Sequence, residues 1–336
     1  MPPLTAMARD SSRMQINLLI GVCAGLVSAM LFASASTGTI LGLFVLFFLS
    51  PMPVAIAGLG WGWRAAVAAM FAAAVAIAVF GLARSAIFHV LAIGAPTAVM
   101  CYLALLNREV TADAGPTHTE WYPVGRIVAV AALIAGGLAA AGLLSTASDV
   151  DGLREQLRAT AERALARPPG MPTPAGTPPA ISPEQLSGLV NILVAMFTPA
   201  LSNMWLAIAM LNMWLAAHVV RKSDRLPRPW PDLSELRMPS AMSIALAVAV
   251  AATFLPGFGG FIGAGFTSAI ILAYMLVGLA IIHNVSRGHS ARSTILAGTY
   301  VILFVFYVIS GPALAMIGLA EPISPLRRKP APPGTT

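Results

Sequence analysis

Hydroxyl and amide side chains line one face of an otherwise apolar segment at residues 183–220. At about 100° per residue, four of these side chains share a narrow arc of a helix, and Asn212 lies near the edge of that arc. The row consists of Ser187, Asn191, Thr198, Ser202 and Asn212. Pro199 interrupts the backbone hydrogen bonds within this row, and freed carbonyls beside polar side chains are typical of solute sites in membranes. The row therefore predicts a candidate pocket, with hydrogen bonds between helices as the alternative.

The apolar segments contain few ionisable side chains, which limits the chemistry that they can support. His89 lies well inside one of them, and we add it to the candidate pocket, although a buried imidazole with satisfied hydrogen bonds is the alternative. All 13 acidic residues lie outside the apolar segments or at their ends, so no buried carboxylate is expected for proton or sodium coupling. The sequence also has no metal-ligand spacing, dinucleotide fingerprint, phosphate-binding loop or nucleophile–base pattern. We therefore expect no catalytic residue, metal or cofactor, and no enzymatic activity.

The elements that must position these side chains are membrane-spanning helices. Of the 336 residues, 58% are hydrophobic and 10% are charged, and the mean hydropathy is +0.82, which excludes a soluble domain. A bilayer is crossed by about 20 apolar residues, and about nine segments (range eight to ten) meet that requirement. The segments are 16–34, 38–59, 62–83, 85–106, 123–145, 199–220, 239–256, 260–284 and 293–318. The pattern predicts an all-α integral membrane protein, whose second helix is broken or re-entrant at Ser50-Pro51-Met52-Pro53.

The chain changes character between the fifth and sixth apolar segments. Residues 150–167 have the period of an amphipathic helix, which we expect to lie on the outer membrane surface or to act as a spacer. Residues 168–183 contain seven prolines and indicate an extended linker, after which Ser182 and Gln185 form a helix-start pattern. We therefore divide the chain into a five-helix half (1–147), a periplasmic helix with a proline-rich linker (148–182), a four-helix half (183–320) and a disordered tail (321–336).

The distribution of arginine and lysine predicts the orientation in the membrane. The net charge of +7 comes from basic residues between the apolar segments, which is typical of loops that face a cytoplasm and anionic lipid rather than of nucleic-acid binding. With the N-terminus in the cytoplasm, the short outer loops contain only Arg84. Nine spans would then place the basic tail at 327–329 outside, against the same rule.

Two surfaces suit contacts with other molecules. The first apolar segment carries a small residue at every fourth position, Gly21, Gly25, Ala29 and Ala33. Such a face lets a partner helix dock closely, or it packs against another helix of the same chain. The second surface is the cytoplasmic loop at 221–238, which is either a docking site or a simple basic loop. Its candidate residues are Arg221, Lys222, Arg225, Arg228, Trp230 and Asp232.

Four stretches together resemble the YybS-like family, bacterial multi-pass membrane proteins classed as a domain of unknown function. They are LSPMPVAIAGLGWGWRAA at 49–66, LNMWLAAHVVRKSDRLPRPWPDLSELRMP at 211–239, LVGLAIIHNVSRG at 276–288 and IGLAEPISPLRRK at 317–329. The resemblance implies a bacterial inner-membrane protein distantly related to the substrate-binding S components of energy-coupling-factor transporters. In those proteins a small-residue face on the first helix docks the coupling subunit, and the row from Gly21 to Ala33 matches that face. This chain differs in having about nine spans instead of about six.

Two functions from different classes follow as expectations. The first is a solute-binding transport subunit that resembles an S component and is powered by a partner protein. The second is a membrane scaffold that gathers membrane or cytoplasmic proteins through the 221–238 loop and the small-residue helix faces. Both place the chain in the lipid bilayer, and they differ in whether a small-molecule solute binds between the helices.

Overall fold

Apolar segments inside a bilayer must pair their own backbone N–H and C=O groups, and a helix does this within one segment. The computed structural model describes residues 4–34, 45–80, 82–111, 117–165, 182–323 and 327. The helices in these ranges are α1 (Leu4–Ala33), α2 (Pro51–Trp61), α3 (Trp63–Val79), α4 (Ala83–His89), α5 (Ala95–Leu105), α6 (Val124–Thr146), α7 (Val150–Leu165), α8 (Pro183–Lys222), α9 (Ala241–Ala252), α10 (Phe258–Val285), α11 (Arg292–Val305) and α12 (Tyr307–Ala320). The predicted all-α membrane architecture is confirmed.

Three shorter elements complete the described chain. A π-helical turn, Val90–Gly94, joins α4 to α5, and a 3-10 turn occupies Leu233–Glu235. Between α5 and α6, strand β1 (Asn107–Val110) pairs antiparallel with strand β2 (His118–Trp121). Each strand has only four residues and neither alternates apolar with polar side chains, so the sequence contains no local signal for this hairpin.

Five helical stretches in the described ranges are long and apolar enough to cross a bilayer. They are Met14–Ala33 in α1, Ala83–Leu105 through the π-helical turn, α6, α8 and α10. The helices α3, α9, α11 and α12 are apolar but shorter. Two predicted spans are interrupted. A helix begins at Pro51 within the second span (38–59), and the ninth span (293–318) divides at Phe306 into α11 and α12. The first break is the predicted one, whereas the second has no proline or glycine at the dividing residue.

The helices pack around α10 and α8. In the C-terminal half α10 contacts α8, α9 and α12. Both α10 and α8 also contact α6 of the N-terminal half, and α8 contacts α2 as well. In the N-terminal half α3 packs against α1, α2 and α5. The shared core is built of alanines and branched side chains, among them Val54, Leu206 and Ile270, each at most 1% exposed. Small side chains allow helices to approach closely in a membrane, where packing replaces the hydrophobic driving force.

The helix α8 starts where the sequence predicts and extends well beyond a bilayer. The backbone N–H of Gln185 donates to Ser182 Oγ at 3.2 Å, and the Gln185 side chain accepts from the Ser182 N–H at 2.9 Å. The helix contains 40 residues and is therefore about 60 Å long. One side of its first half packs against α7, where Leu153 is fully buried against Val190 and Val194. The apolar face of α7 thus packs on α8. Its position at the outer membrane surface stays a prediction.

Several connections meet at one end of the bundle, which we call the loop end. The contacts that define it join Arg225 with Trp61, Arg228 with Ala104, Asp232 with Arg287 and Arg237 with Glu321.

The pair α11–α12 begins and finishes at this loop end. Arg287 precedes α11, and Glu321 follows α12. Buried Arg327 forms an ion pair with Glu321 at 2.6 Å and donates a hydrogen bond to the Leu236 carbonyl. Arg327 therefore lies at the same end as the 221–238 loop, whereas nine spans would place the basic tail on the opposite side. The expectation of a disordered tail is wrong at Glu321 and Arg327, and residues 324–326 and 328–336 lie outside the described ones.

Candidate functional site

A cavity of about 920 Å³ lies at the loop end, where α5, α6, α8, α10 and α11 meet the segment 223–238, which we call the α8–α9 loop. Apolar side chains form its wall, among them Met100, Ile127, Val128, Met210, Met213, Leu276 and Leu279. Its polar rim consists of Arg228, Asp232, His283, Arg287, Arg292 and Tyr300. An apolar pocket of this size with a few convergent polar groups is the usual form of a small-molecule site.

One edge of the cavity is held by Asp232. The Asp232 carboxylate caps the 3-10 turn, since its Oδ1 accepts from the Ser234 N–H at 3.0 Å and from the Ser234 hydroxyl at 2.8 Å. Arg287, just beyond α10, donates to the same carboxylate, with nitrogen–oxygen distances of 2.7 and 2.6 Å. The hydrogen bond from Arg287, followed by those from Ser234, holds the pKa of the Asp232 carboxyl below its ordinary value. These bonds fasten the α8–α9 loop to the end of α10.

Arg228 supplies a second attachment of this loop. Its Nη1 donates to the Ala104 carbonyl at the end of α5 at 3.2 Å, and burial lowers the pKa of the guanidinium from its ordinary value. Among the described residues, no carboxylate lies within 4.0 Å of the Arg228 or Arg292 guanidinium. The cavity therefore presents two cationic groups that are not neutralised by an ion pair within the described part of the chain.

Aromatic rings close the side of the cavity next to α8. Trp214 stacks on His218, whose ring meets Trp230 of the α8–α9 loop edge-on. The guanidinium of Arg221 lies 4.9 Å from the centre of the Trp230 ring, a cation–π distance. Because Trp214 and Trp230 both line the cavity, their fluorescence can report on its contents.

The helix α11 forms the most weakly attached wall. Tyr300 contributes a hydroxyl that lies 2.9 Å from His283 Nε2, and this pair joins α11 to α10 at the polar rim. None of the α11 residues is buried, and Phe304 is 89% exposed. An apolar helix with so much exposed surface faces lipid when the protein is in a membrane.

The predicted polar row on α8 does not form one pocket. Ser187 and Asn191 are exposed, and Ser187 is 3.4 Å from Arg158 of α7. Buried Thr198 donates to the Phe261 carbonyl of α10, which is the hydrogen bond between helices that the alternative predicted. Buried Ser202 donates to the Pro199 carbonyl of its own helix at 3.1 Å. None of the row residues lines the 920 Å³ cavity.

The remaining two candidate pocket residues, Asn212 and His89, have separate hydrogen bonds near the break before α2. The Asn212 amide donates to the Phe48 carbonyl at 2.9 Å and to the Ile208 carbonyl at 2.8 Å. Ser28 of α1 donates to the Ser50 carbonyl at 2.7 Å, and its oxygen lies 3.0 Å from His89 Nε2. The described hydrogen bonds of these side chains join α1 and α8 to the segment that precedes α2, so they are structural.

The small-residue face of α1 is occupied within the chain. A methyl group added at Gly21 would lie 2.5 Å from the Ala65 carbonyl oxygen of α3, and one at Gly25 would overlap the Ala69 carbonyl. Ala29 is buried against α3, whereas Ala33 is exposed. The candidate docking face is therefore an internal contact between α1 and α3, because neither glycine leaves room for a separate helix.

The candidate residues of the 221–238 loop divide into two groups. Arg228, Trp230 and Asp232 line the cavity. Arg221 and Arg225 stack over Trp230 and Trp61, and Lys222 is exposed.

Sequence reasoning missed the rim residues from α10 and α11, which are His283, Arg287, Arg292 and Tyr300. The basic end of the stretch 276–288 was a signal that could have indicated His283 and Arg287.

No group of three His, Cys, Asp or Glu side chains within the described ranges is placed to share a metal ion. In comparisons with known proteins, a family model described as "Predicted membrane protein (DUF2232)" matches residues 26–321. No curated protein and no solved structure matches the chain.

Proposed function

The chain belongs to the DUF2232 family of predicted membrane proteins, and we propose that it acts in the bilayer. We propose that its function is to bind a small-molecule solute in the cavity at the loop end. The cavity is the observation that carries this proposal. Its volume of about 920 Å³ is in the usual range for ligand sites, and its polar groups converge on one rim of an apolar wall. The role is binding rather than catalysis.

We further propose that this protein is a subunit of a transport system and that a partner protein supplies the energy. The acidic residues lie outside or at the ends of the apolar segments, which supports coupling through a partner rather than through a proton or sodium ion. The S-component resemblance stays part of the proposal, although the internal contact of the α1 face requires a different surface for the partner.

We prefer solute binding to the scaffold role because both surfaces proposed for partners have internal contacts. Asp232 and Arg228 fasten the α8–α9 loop to α10 and α5, and Gly21 and Gly25 lie against α3. We place the protein in a bacterial inner membrane with the loop end in the cytoplasm. The basic residues of the α8–α9 loop and Arg327 at the same end support this orientation.

Native mass spectrometry of the gently solubilised full-length protein tests solute binding. Ala217 of α8 lines the cavity, so Ala217→Trp should occupy part of it and displace a co-purified small molecule. Ala207 is exposed on the same helix and away from the cavity, and Ala207→Trp is the matched control that should retain the molecule. Both variants are first compared for yield and size-exclusion profile. Absence of any retained molecule in the unaltered protein, or retention by a folded Ala217→Trp variant, would contradict the proposal.

A further inference from the structure

We infer that the solute is an anionic amphiphile, with an acidic head held by Arg228 and Arg292 and an apolar chain held against α6, α8 and α10. This inference rests on the proposed function and names the chemical class of its ligand. The same chemistry can come from an anionic membrane lipid or from a single-chain acid or phosphate ester, and the experiment below distinguishes these sources.

The charge of the rim selects an anionic head. Three arginines and one aspartate line the cavity, a formal charge of +2 with histidine neutral. Asp232 is already bound to Arg287, which leaves the guanidinium groups of Arg228 and Arg292 without an ion pair among the described residues. Arg228 is also partly desolvated, as the lowered pKa of its guanidinium indicates, so an anion would regain attraction that the group has lost from water.

The wall selects an apolar chain. Methionine and branched side chains from four helices line it, including Met210, Met213, Leu276 and Leu279. Methionine adapts its shape to irregular apolar ligands, and no charged side chain other than the rim residues lines the cavity within the described ranges. A wholly polar solute would leave this wall without a complementary surface, whereas an alkyl or isoprenoid chain would cover it.

The position of α11 gives such a molecule a route from the bilayer. This helix contributes Arg292 and Tyr300 to the rim, and none of its residues is buried. Its attachment to α10 at the rim is the His283–Tyr300 hydrogen bond. An amphiphile in the adjoining leaflet would therefore reach the rim with its head at the loop end and its chain already in the apolar layer.

Matched alkyl probes test the head charge. The full-length protein is reconstituted in phosphatidylcholine nanodiscs, and its thermal unfolding is followed by tryptophan fluorescence with dodecyl phosphate, dodecyltrimethylammonium or dodecanol added. A parallel arm uses nanodiscs that contain a minor fraction of phosphatidylglycerol, without any single-chain probe. We expect dodecyl phosphate or phosphatidylglycerol to raise the melting temperature, since ligands that bind the folded state stabilise it, and the cationic and neutral probes to have no effect. A higher melting temperature with dodecyl phosphate indicates a single-chain ligand, and a higher melting temperature with phosphatidylglycerol indicates a membrane lipid.

Arginine variants test the assigned contacts. Arg228→Gln should weaken binding of the anionic ligand about tenfold to a hundredfold, as expected for loss of a charge-assisted hydrogen bond. Arg225→Gln is the matched control, because it removes the same charge from the same loop at a residue that stacks on Trp61 outside the cavity. Its affinity should be unchanged.

Three results would overturn the inference. Equal protection by the cationic or neutral probe would exclude selection for an anion, and equal weakening by both variants would exclude a specific Arg228 contact. A neutral or cationic molecule retained in native mass spectra and lost in Ala217→Trp would also overturn it while leaving the proposed function intact. If no molecule is retained and no probe protects, both proposals fall.

Discussion

Adding one methyl group at Gly25 tests the close contact between α1 and α3. In the structure the added Cβ would overlap the Ala69 carbonyl and lie 2.8 Å from the Ala72 Cβ. Overpacking of this kind costs about 1–3 kcal/mol. Replacing a helical glycine by alanine gains about 1 kcal/mol of helix propensity, so Gly25→Ala should change the free energy of unfolding by about zero to −2 kcal/mol.

Gly137 in α6 provides the matched control. It is exposed, and an added Cβ would meet nothing within 4 Å, so Gly137→Ala should stabilise the protein by up to about 1 kcal/mol. The propensity gain is common to both variants, and their difference therefore isolates the packing term of about 1–3 kcal/mol. Unfolding in mixed micelles titrated with sodium dodecyl sulfate, followed by circular dichroism, measures both. A difference below about 0.5 kcal/mol, the usual effect of a surface substitution, would show that α1 does not lie on α3 as described.

Three further predictions concern orientation, the α8 amide and the loop. In a cysteine-free background, a cysteine at position 176 in place of glycine should label with an impermeant maleimide from outside the inner membrane, and Ser223→Cys should not; the reverse labelling would invert the proposed orientation. Asn212→Leu should cost about 0.6–2 kcal/mol of stability by removing the hydrogen bond from the amide to the Phe48 carbonyl, with ligand retention in native mass spectra unchanged. A loss of ligand would place this amide in the solute site. The pKa of Asp232 is lowered in the folded state, so the loop attachment is present above the ordinary aspartate pKa of about 3.9 and should be lost as the pH falls through the lower folded value. Limited proteolysis as a function of pH should detect this loss. If the same step persists in Asp232→Asn, another group causes it.

Local patterns predicted the features that depend on neighbouring residues. The helix start at Ser182 and the helix at Pro51 after a break follow from capping and proline chemistry within a few residues, and both occur in the structure. The spacing of Gly21 and Gly25 correctly indicated a close helix contact. The spacing could not name the second helix, because a small-residue face fits an internal neighbour and a separate subunit equally well.

Features that depend on distant parts of the chain were not predictable in the same way. Helical periodicity placed Ser187 and Thr198 on one arc, but it contained no information on what covers each turn, and only Thr198 meets α10. Arg228 and Arg292 line one cavity although they lie 64 positions apart, the first in the α8–α9 loop and the second at the start of α11. The division at Phe306 also lacks a local signal, and an apolar segment of sufficient length was therefore counted as a span.

The length of α8 makes it a lever between the two ends of the molecule. The cavity residue Met213 and the α7 contact at Val190 belong to the same helix, about 35 Å apart along its axis, with Pro199 between them. A tilt of about 5° about the cavity end would displace the α7 contact by about 3 Å. A change in side-chain packing around Met213 that tilts α8 would therefore be amplified into a movement of the α7–α8 pair at the far end of this helix.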